Sequence, residues 1–315
     1  MTRFLAQRLL QAVVVVLIVC LITFILLQLL PGGEARAVLG SRASPAQIRQ
    51  FDHQNGLDRP LVVQFGIWLS HLVHGNLGYS YHLNQSVASL IAQKLPKTIV
   101  LNALALVFSV VIAIPIGVSQ AVRRNSMFDY TATLVGFVFY STPVFFLSLM
   151  LVLWFSLGLH WFPAQAPQGS TLSGILSQPS RLVLPVASLV LLQVALFTRY
   201  LRSAVMDNLV QDYVRTAYAK GAGPRRVVYV HILRNSLIPM VTLLGFALPG
   251  ILAGSLVTEQ VFNYPGMGLL FYQEAQASDY PVLLGIVLIS GVAIVVGNLL
   301  ADIAYAVLDP RVRYS

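Results

Sequence analysis

Residues able to do chemistry are scarce in this 315-residue chain, and their spacing argues against catalysis. Of its three lysines, Lys94, Lys97 and Lys220, none lies in the G-x-x-x-x-G-K-[ST] pattern that cradles nucleotide phosphates, so any ATP must be hydrolysed by another subunit. Gly221 and Gly223 lack the βαβ surroundings of a dinucleotide fingerprint. His71 and His74 can share a helix face, but no further His, Cys or carboxylate nearby completes a zinc-type set, and a surface or packing role is expected. Neither H-E-x-x-H nor G-x-S-x-G occurs. The expectation is a chain with no catalytic residues, no metal site and no cofactor of its own. The single cysteine, Cys20, leaves no internal disulfide possible.

The composition explains the scarcity. Apolar residues make up 57% of the chain and charged residues 10%, where soluble domains carry about 25% charged residues. No Asp, Glu, Lys or Arg occurs in 9–33, 98–122, 130–180, 182–198, 235–258 or 280–301. Each stretch can hold a membrane helix of roughly 20 residues. The third is long enough to hold a helix from about Thr131 to Leu159 and then a loop through Pro163, Pro167, Gly169 and Pro179. The fold class expected is all-α, a polytopic membrane protein of six transmembrane helices. Spans without ionisable groups argue against a proton-driven carrier. Within them Asn102, Ser141, Thr142, Gln193 and Asn298 can line a pathway, although polar residues in spans more often stabilise helix pairs. Gly250 and Gly254 are expected to allow close helix packing, and Pro115, Pro143 and Pro249 to bend their spans.

The net charge of +9 sits in segments flanking the apolar runs, which favours a role in membrane orientation over nucleic-acid binding. Arg123 and Arg124 follow the second span, and seven bases from Arg199 to Arg234 fill the loop between the fourth and fifth. The loop after the fifth span instead carries Glu259, Glu274 and Asp279. Positive charge in short loops marks the cytoplasmic side, so both termini are expected there. The organisation expected is a first transmembrane helix over 1–31, an extracytoplasmic cap over 32–97, a transmembrane core over 98–309 with a cytoplasmic loop at 199–236, and a tail over 310–315. In the cap, Ser44-Pro45-Ala46-Gln47 predicts a capping box with Gly56 closing the helix, and a second helix runs from Pro60 to His74 before Gly75.

The basic loop is too patterned to be a tether. Asp212 is placed to cap a short helix carrying Tyr213, Val214, Ala217 and Tyr218, Lys220 falls in its last turn, and Gly221 supplies a left-handed end. A second helix can start at Pro224. Such a unit suits docking into a partner's groove, while a basic interfacial helix on anionic lipid accounts for the same residue types.

The stretch DYVRTAYAKGAGPRRVVYVHILRNSLIP resembles the cytoplasmic signature loop of binding-protein-dependent ABC importer permeases of the dipeptide, oligopeptide and nickel subfamily. RFLAQRLLQAV leading to LLPGG, GNLGYSY, KLPKTIVLNALAL, VFNYPGMGLL, DYPVL and AYAVLDPRVR resemble that subfamily's first permease subunit, so the likeness spans nearly the whole chain. The resemblance implies type I importer transmembrane architecture in the bacterial inner membrane. It also implies a helix coupling to the ATPase through Tyr213, Arg215, Thr216, Ala217, Lys220, Gly221 and Pro224. Implied partners are a second homologous permease subunit, two ABC ATPase subunits or one fused, which bind ATP and Mg, an extracytoplasmic substrate-binding protein and membrane lipid, but no nucleic acid. Arg215 stands where many such families have Glu, and Asn235 where many have Pro, so no salt bridge of that glutamate carries over. A nickel or other small-solute permease, a secondary carrier or channel, and a membrane enzyme are the alternatives.

Overall fold

The computed structural model describes residues 2–29, 35, 39, 43–80, 82–169 and 171–308. Its secondary structure is helical apart from one two-residue antiparallel ladder among the described residues. Among the described residues, five helices are long and apolar enough to cross a membrane, and a sixth span results if one sharply bent pair is counted as one.

The first helix, α1 (Thr2–Gln28), exposes Leu10, Val14, Leu17, Leu21 and Ile25, as expected of a surface solvated by lipid tails. Beyond it α2 (Pro45–Asn55) begins with the expected capping box: Ser44 accepts from the Gln47 amide, and the Gln47 side chain accepts from the Ser44 amide. Gly56 closes it at φ +67°. The very apolar α3 (Leu61–Val73) packs on α1 through Phe24, Phe65 and Trp68, and Gln28 donates to Gln64. His71 and His74 are exposed, and the His74 ring meets the Ser70 carbonyl rather than His71.

The ladder β1 (Tyr79–Ser80) and β2 (Gln85–Ser86) leads into α4 (Val87–Val122), a 36-residue helix capped by Ser86. The boundary expected at 97–98 falls inside this helix. Pro96 and Pro115 are both accommodated within it. The helices α4 and α8 (Pro179–Leu209) form the central pair, sealed where Gly117 lets the Thr198 carbonyl and Leu201 approach. The helix α8 extends its charge-free window at both ends, so that Arg181, Arg199 and Arg202 lie on it. Lys97 is likewise buried on α4. Helices therefore do not stop where charge begins, and the expectation of spans without ionisable groups holds only for their middles.

The third span departs most from expectation. In place of one helix over Thr131–Leu159, α5 (Met127–Ser141) and α6 (Val144–Leu151, continued by π-type turns over Val152–Gly158) meet at 108°. Thr142 turns extended and its hydroxyl donates to the Val138 carbonyl, while Pro143 has no amide to continue the ladder. The expected bend at Pro143 is thus a break. A loop containing α7 (Leu172–Leu176) precedes α8.

On one side of the bundle lie α9 (Asp212–Ala219) and α10 (Pro224–Arg226), the latter running through π-type turns over Val227–Ile232 into α11 (Leu233–Ala253). On the other lie α12 (Leu256–Val261) and α13 (Met267–Ala277) before the closing span α14 (Tyr280–Leu308). Gly254 ends α11 at φ +85° and lets Thr98 of α4 approach, since a Cβ there would lie 2.9 Å from Thr98 Cγ2, whereas a Cβ at Gly250 would meet nothing within 4 Å. Close packing of α11 on α14 uses Gly245 against Ala301 and Gly297 against Pro249.

Candidate functional site

Two polar centres lie at opposite ends of the bundle. The first is the loop from Gln211 to Arg226. Asp212 is the first helical residue of α9 and not its cap. Gln211 takes the cap position without a side-chain bond, and the Asp212 carboxylate instead suits the positive end of the helix and reaches Arg215 at 3.4 Å. Lys220 is the C-cap residue, and Gly221 follows at φ +80°, where its amide donates to the Tyr218 carbonyl. The Ala222 amide donates to the Ala217 carbonyl, so the turn satisfies two helix-end acceptors. Pro224 opens α10 as the sequence predicts.

The helix α9 is two-faced. Val214 and Ala217, 3% and 8% exposed, pack with Val205, Val227 and Ile232 in a core that continues into Ala113 and Val118 of α4 and Met240 of α11. Tyr213 is half-buried and its hydroxyl donates to Asn208 Oδ1 at 2.7 Å. Three of the four residues expected to present a docking face, Tyr213, Val214 and Ala217, therefore turn inward and help close the apolar seam over the span ends. Arg215, Thr216, Tyr218, Lys220, Gly221 and Pro224 remain on the exposed face.

Close to this loop, Arg202 donates from Nε and Nη2 to the two carboxylate oxygens of Asp129, both at 2.7 Å, and the Asn125 amide adds a third bond. This fork ties α8 to the start of α5. It borders a cavity of about 330 Å³ between α4, α5 and α8, lined by Gln120, Thr133, Tyr140, Thr198, Arg199 and Arg202 among apolar side chains. The buried Gln120 Oε1 and Thr198 Oγ1 have no protein partner there. None of the five pathway residues expected from sequence lines it. Asn102 is buried and donates to the Thr98 carbonyl, Gln193 is half-buried with its Oε1 unpartnered, and Ser141 and Asn298 are exposed. Thr142 is spent on the break after α5.

The second centre is a knot of buried polar groups at the other end, which sequence reasoning missed. The Glu259 carboxylate accepts from Thr98 Oγ1 at 2.9 Å through Oε1, and from the Gly268 and Leu269 amides at 2.7 and 3.1 Å through Oε2. It thus sits on the positive end of α13. Thr98 accepts in turn from the Met267 amide, and the Tyr264 hydroxyl donates to the Lys97 carbonyl at 2.7 Å. A Cβ on Gly266 would lie 2.5 Å from both Glu259 Oε2 and Thr98 Oγ1, which accounts for glycine in VFNYPGMGLL. Burial pushes the Glu259 carboxyl above the usual carboxylate range against the opposing pull of its hydrogen bonds, and burial also raises the Tyr264 phenol. The signal available in the sequence was one acid immediately after a charge-free run, next to a Pro-Gly turn.

A helical bundle of five or six apolar spans, with one charged end loop held by the span core, defines a multi-pass membrane protein. Residues 113–314 match the family described as "Binding-protein-dependent transport system inner membrane component", and residues 1–102 match the N-terminal family described as "Binding-prot-dependent transport system membrane comp, N-term". The chain belongs to this family and is an inner-membrane permease subunit. It is 37% identical over 316 residues to the oligopeptide transport system permease protein AppB of Bacillus subtilis. It is 40% identical over 315 residues to a putative peptide transport system permease protein of Brucella abortus, and 33% identical over 333 residues to the dipeptide transport system permease protein DppB of Alkalihalophilus pseudofirmus. Each match covers the whole of both chains.

Proposed function

We propose that this chain is one of two homologous permease subunits of an ABC importer that takes up di- or oligopeptides. The observation that carries the substrate class is full-length similarity to relatives named for oligopeptide, dipeptide and peptide transport. An extracytoplasmic binding protein delivers the peptide, and paired ATPase subunits, which hold ATP and Mg, close on nucleotide. The bundle alternates its access between the two sides.

The coupling element is α9 with its turn. Its exposed face, Arg215, Thr216, Tyr218, Lys220 and Gly221, docks on the ATPase, while Val214 and Ala217 join it to α4, α8 and α11 so that a push on the loop moves the spans. Tyr213 and Pro224 fix the two ends of the unit. On this reading the 199–236 loop and both termini are cytoplasmic, in line with the placement of the bases. Asn102, Ser141, Thr142, Gln193 and Asn298 contribute to the pathway only once the second permease subunit packs against this one.

The test is reconstitution with the second permease subunit, the ATPase subunits and the binding protein, followed by uptake of labelled peptide. Uptake that requires ATP, binding protein and this chain is expected. Uptake independent of ATP, or ATP-driven uptake of a non-peptide solute with none of peptide, would overturn the reading.

A further inference from the structure

At the end of the bundle that carries Glu259, a second group of titratable side chains has no place in the transport scheme. The His82 ring, the Glu274 carboxylate and the Asp279 carboxylate offer one ligand atom each, all within 4.8 Å of one another. They come from three elements: His82 from the turn between β1 and β2, Glu274 from the last turn of α13, and Asp279 from the start of α14. Glu274 and Asp279 are 2% and 6% exposed, whereas the His82 side chain is 57% exposed.

The electrostatics of this corner call for a cation. Two carboxylates share one buried site: Asp279, directly before α14, has that helix's positive end beside it, whereas Glu274 sits at the negative end of α13, where a further negative charge is disfavoured. Among the described residues the only counter-charge beside them is the His82 ring, whose Nδ1 lies 3.0 Å from Glu274 Oε2. Asp279 Oδ2 is held by the Ser80 hydroxyl at 2.5 Å, and its Oδ1 faces the Val282 amide at 3.5 Å. Among the described residues, Glu274 therefore depends on the exposed His82 ring for its counter-charge.

We propose that His82, Glu274 and Asp279 form a binding site for a divalent cation of the Zn²⁺ class, which staples the β1–β2 turn to the α13–α14 corner. One nitrogen and two carboxylate oxygens suit Zn²⁺, Ni²⁺ or Co²⁺ better than Ca²⁺ or Mg²⁺, which take oxygen ligands. Tetrahedral coordination at about 2.1 Å places ligands roughly 3.4 Å apart. His82 Nδ1 and Glu274 Oε2, 3.0 Å apart, are near that distance, and closing separations of up to 4.8 Å takes small side-chain movements, of which the exposed His82 ring has the most freedom. A fourth position opens towards the exposed side of His82, for water or a ligand atom from outside. The ion enters as the divalent cation and displaces any proton on the imidazole, with no redox step. This inference does not depend on the substrate carried.

The test uses the assembled transporter, purified without a polyhistidine tag and stripped with a chelator, titrated with Co²⁺ and read by visible absorption. The wild type should bind one Co²⁺ more than His82→Ala, with the intense spectrum of a low-coordinate site, and Zn²⁺ should displace it. Glu274→Gln should weaken that binding by at least about tenfold, the scale on which loss of even an outer-shell partner acts. His71→Ala should leave it unchanged. Co²⁺ uptake by His82→Ala equal to that of wild type, or its loss in His71→Ala, would overturn the proposal. Because His82 is exposed, its variant keeps the fold, and the comparison of wild type with His82→Ala decides the matter even if Glu274→Gln does not assemble.

Discussion

The two ends of this bundle handle polar groups in opposite ways. Around Glu259 every carboxylate contact is internal: Thr98, Gly268 and Leu269 saturate it, and Gly266 leaves no room for a side chain. Around Gly221 the polar side chains face outward, nothing lies within 4 Å of where a Cβ would stand, and only the underside of α9 is packed. A buried carboxylate held by three internal donors is fixed in one arrangement. An exposed unit tied to the core by a single apolar face is built to receive force from something else. Substitutions at the first end should therefore report on folding, and at the second on transport.

The greatest loss is expected from Glu259→Ala. Three donors lose their acceptor, and each unsatisfied buried group costs about 1–3 kcal/mol, a sum that rivals the whole stability of many domains. Loss of the chain from membranes, read by immunoblot against wild type, is the expected outcome, with Glu259→Gln milder because an amide still accepts. Full abundance of Glu259→Ala would dissolve the contrast between the two ends. Next comes Gly221→Val. Its Cβ meets no neighbour, so the cost is confined to a left-handed backbone, about 1–2 kcal/mol. Membrane abundance should stay normal while peptide uptake falls at least about tenfold, a factor equal to roughly 1.4 kcal/mol. Normal uptake would remove the coupling role from the turn. Arg215→Ala should cost least: its pair with Asp212 is exposed on one helix face, and such pairs contribute about 0.2–0.5 kcal/mol. Abundance should not change measurably, and any transport defect then belongs to a partner contact.

Much of this architecture is legible in the sequence. Long charge-free runs can only be satisfied by membrane helices, and Pro45, Gly56, Gly75, Gly221 and Pro224 each act through backbone restrictions that are local and hence readable. What is not legible depends on tertiary partners. Nothing local says that Val214 and Ala217 turn towards the spans, because an eight-residue amphipathic helix can lay its apolar stripe on its own core or on a partner. Pro143 could equally have been accommodated inside a continuous helix, as Pro115 is. The Glu259 knot joins residues 161 positions apart, Thr98 and Glu259, and no local pattern around either one points to the other.

Contact between the exposed face of α9 and the ATPase can be read by site-specific crosslinking. Tyr218 lies on that face, 47% exposed. In a Cys20→Ser background, Tyr218→Cys carrying a short photoreactive crosslinker should join this chain to an ATPase subunit in the assembled transporter, with a yield that changes on adding ATP, whereas Gln276→Cys at the opposite end should not. Crosslinks from Tyr218→Cys to lipid alone, with none to the ATPase in any nucleotide state, would rule out α9 as the coupling element.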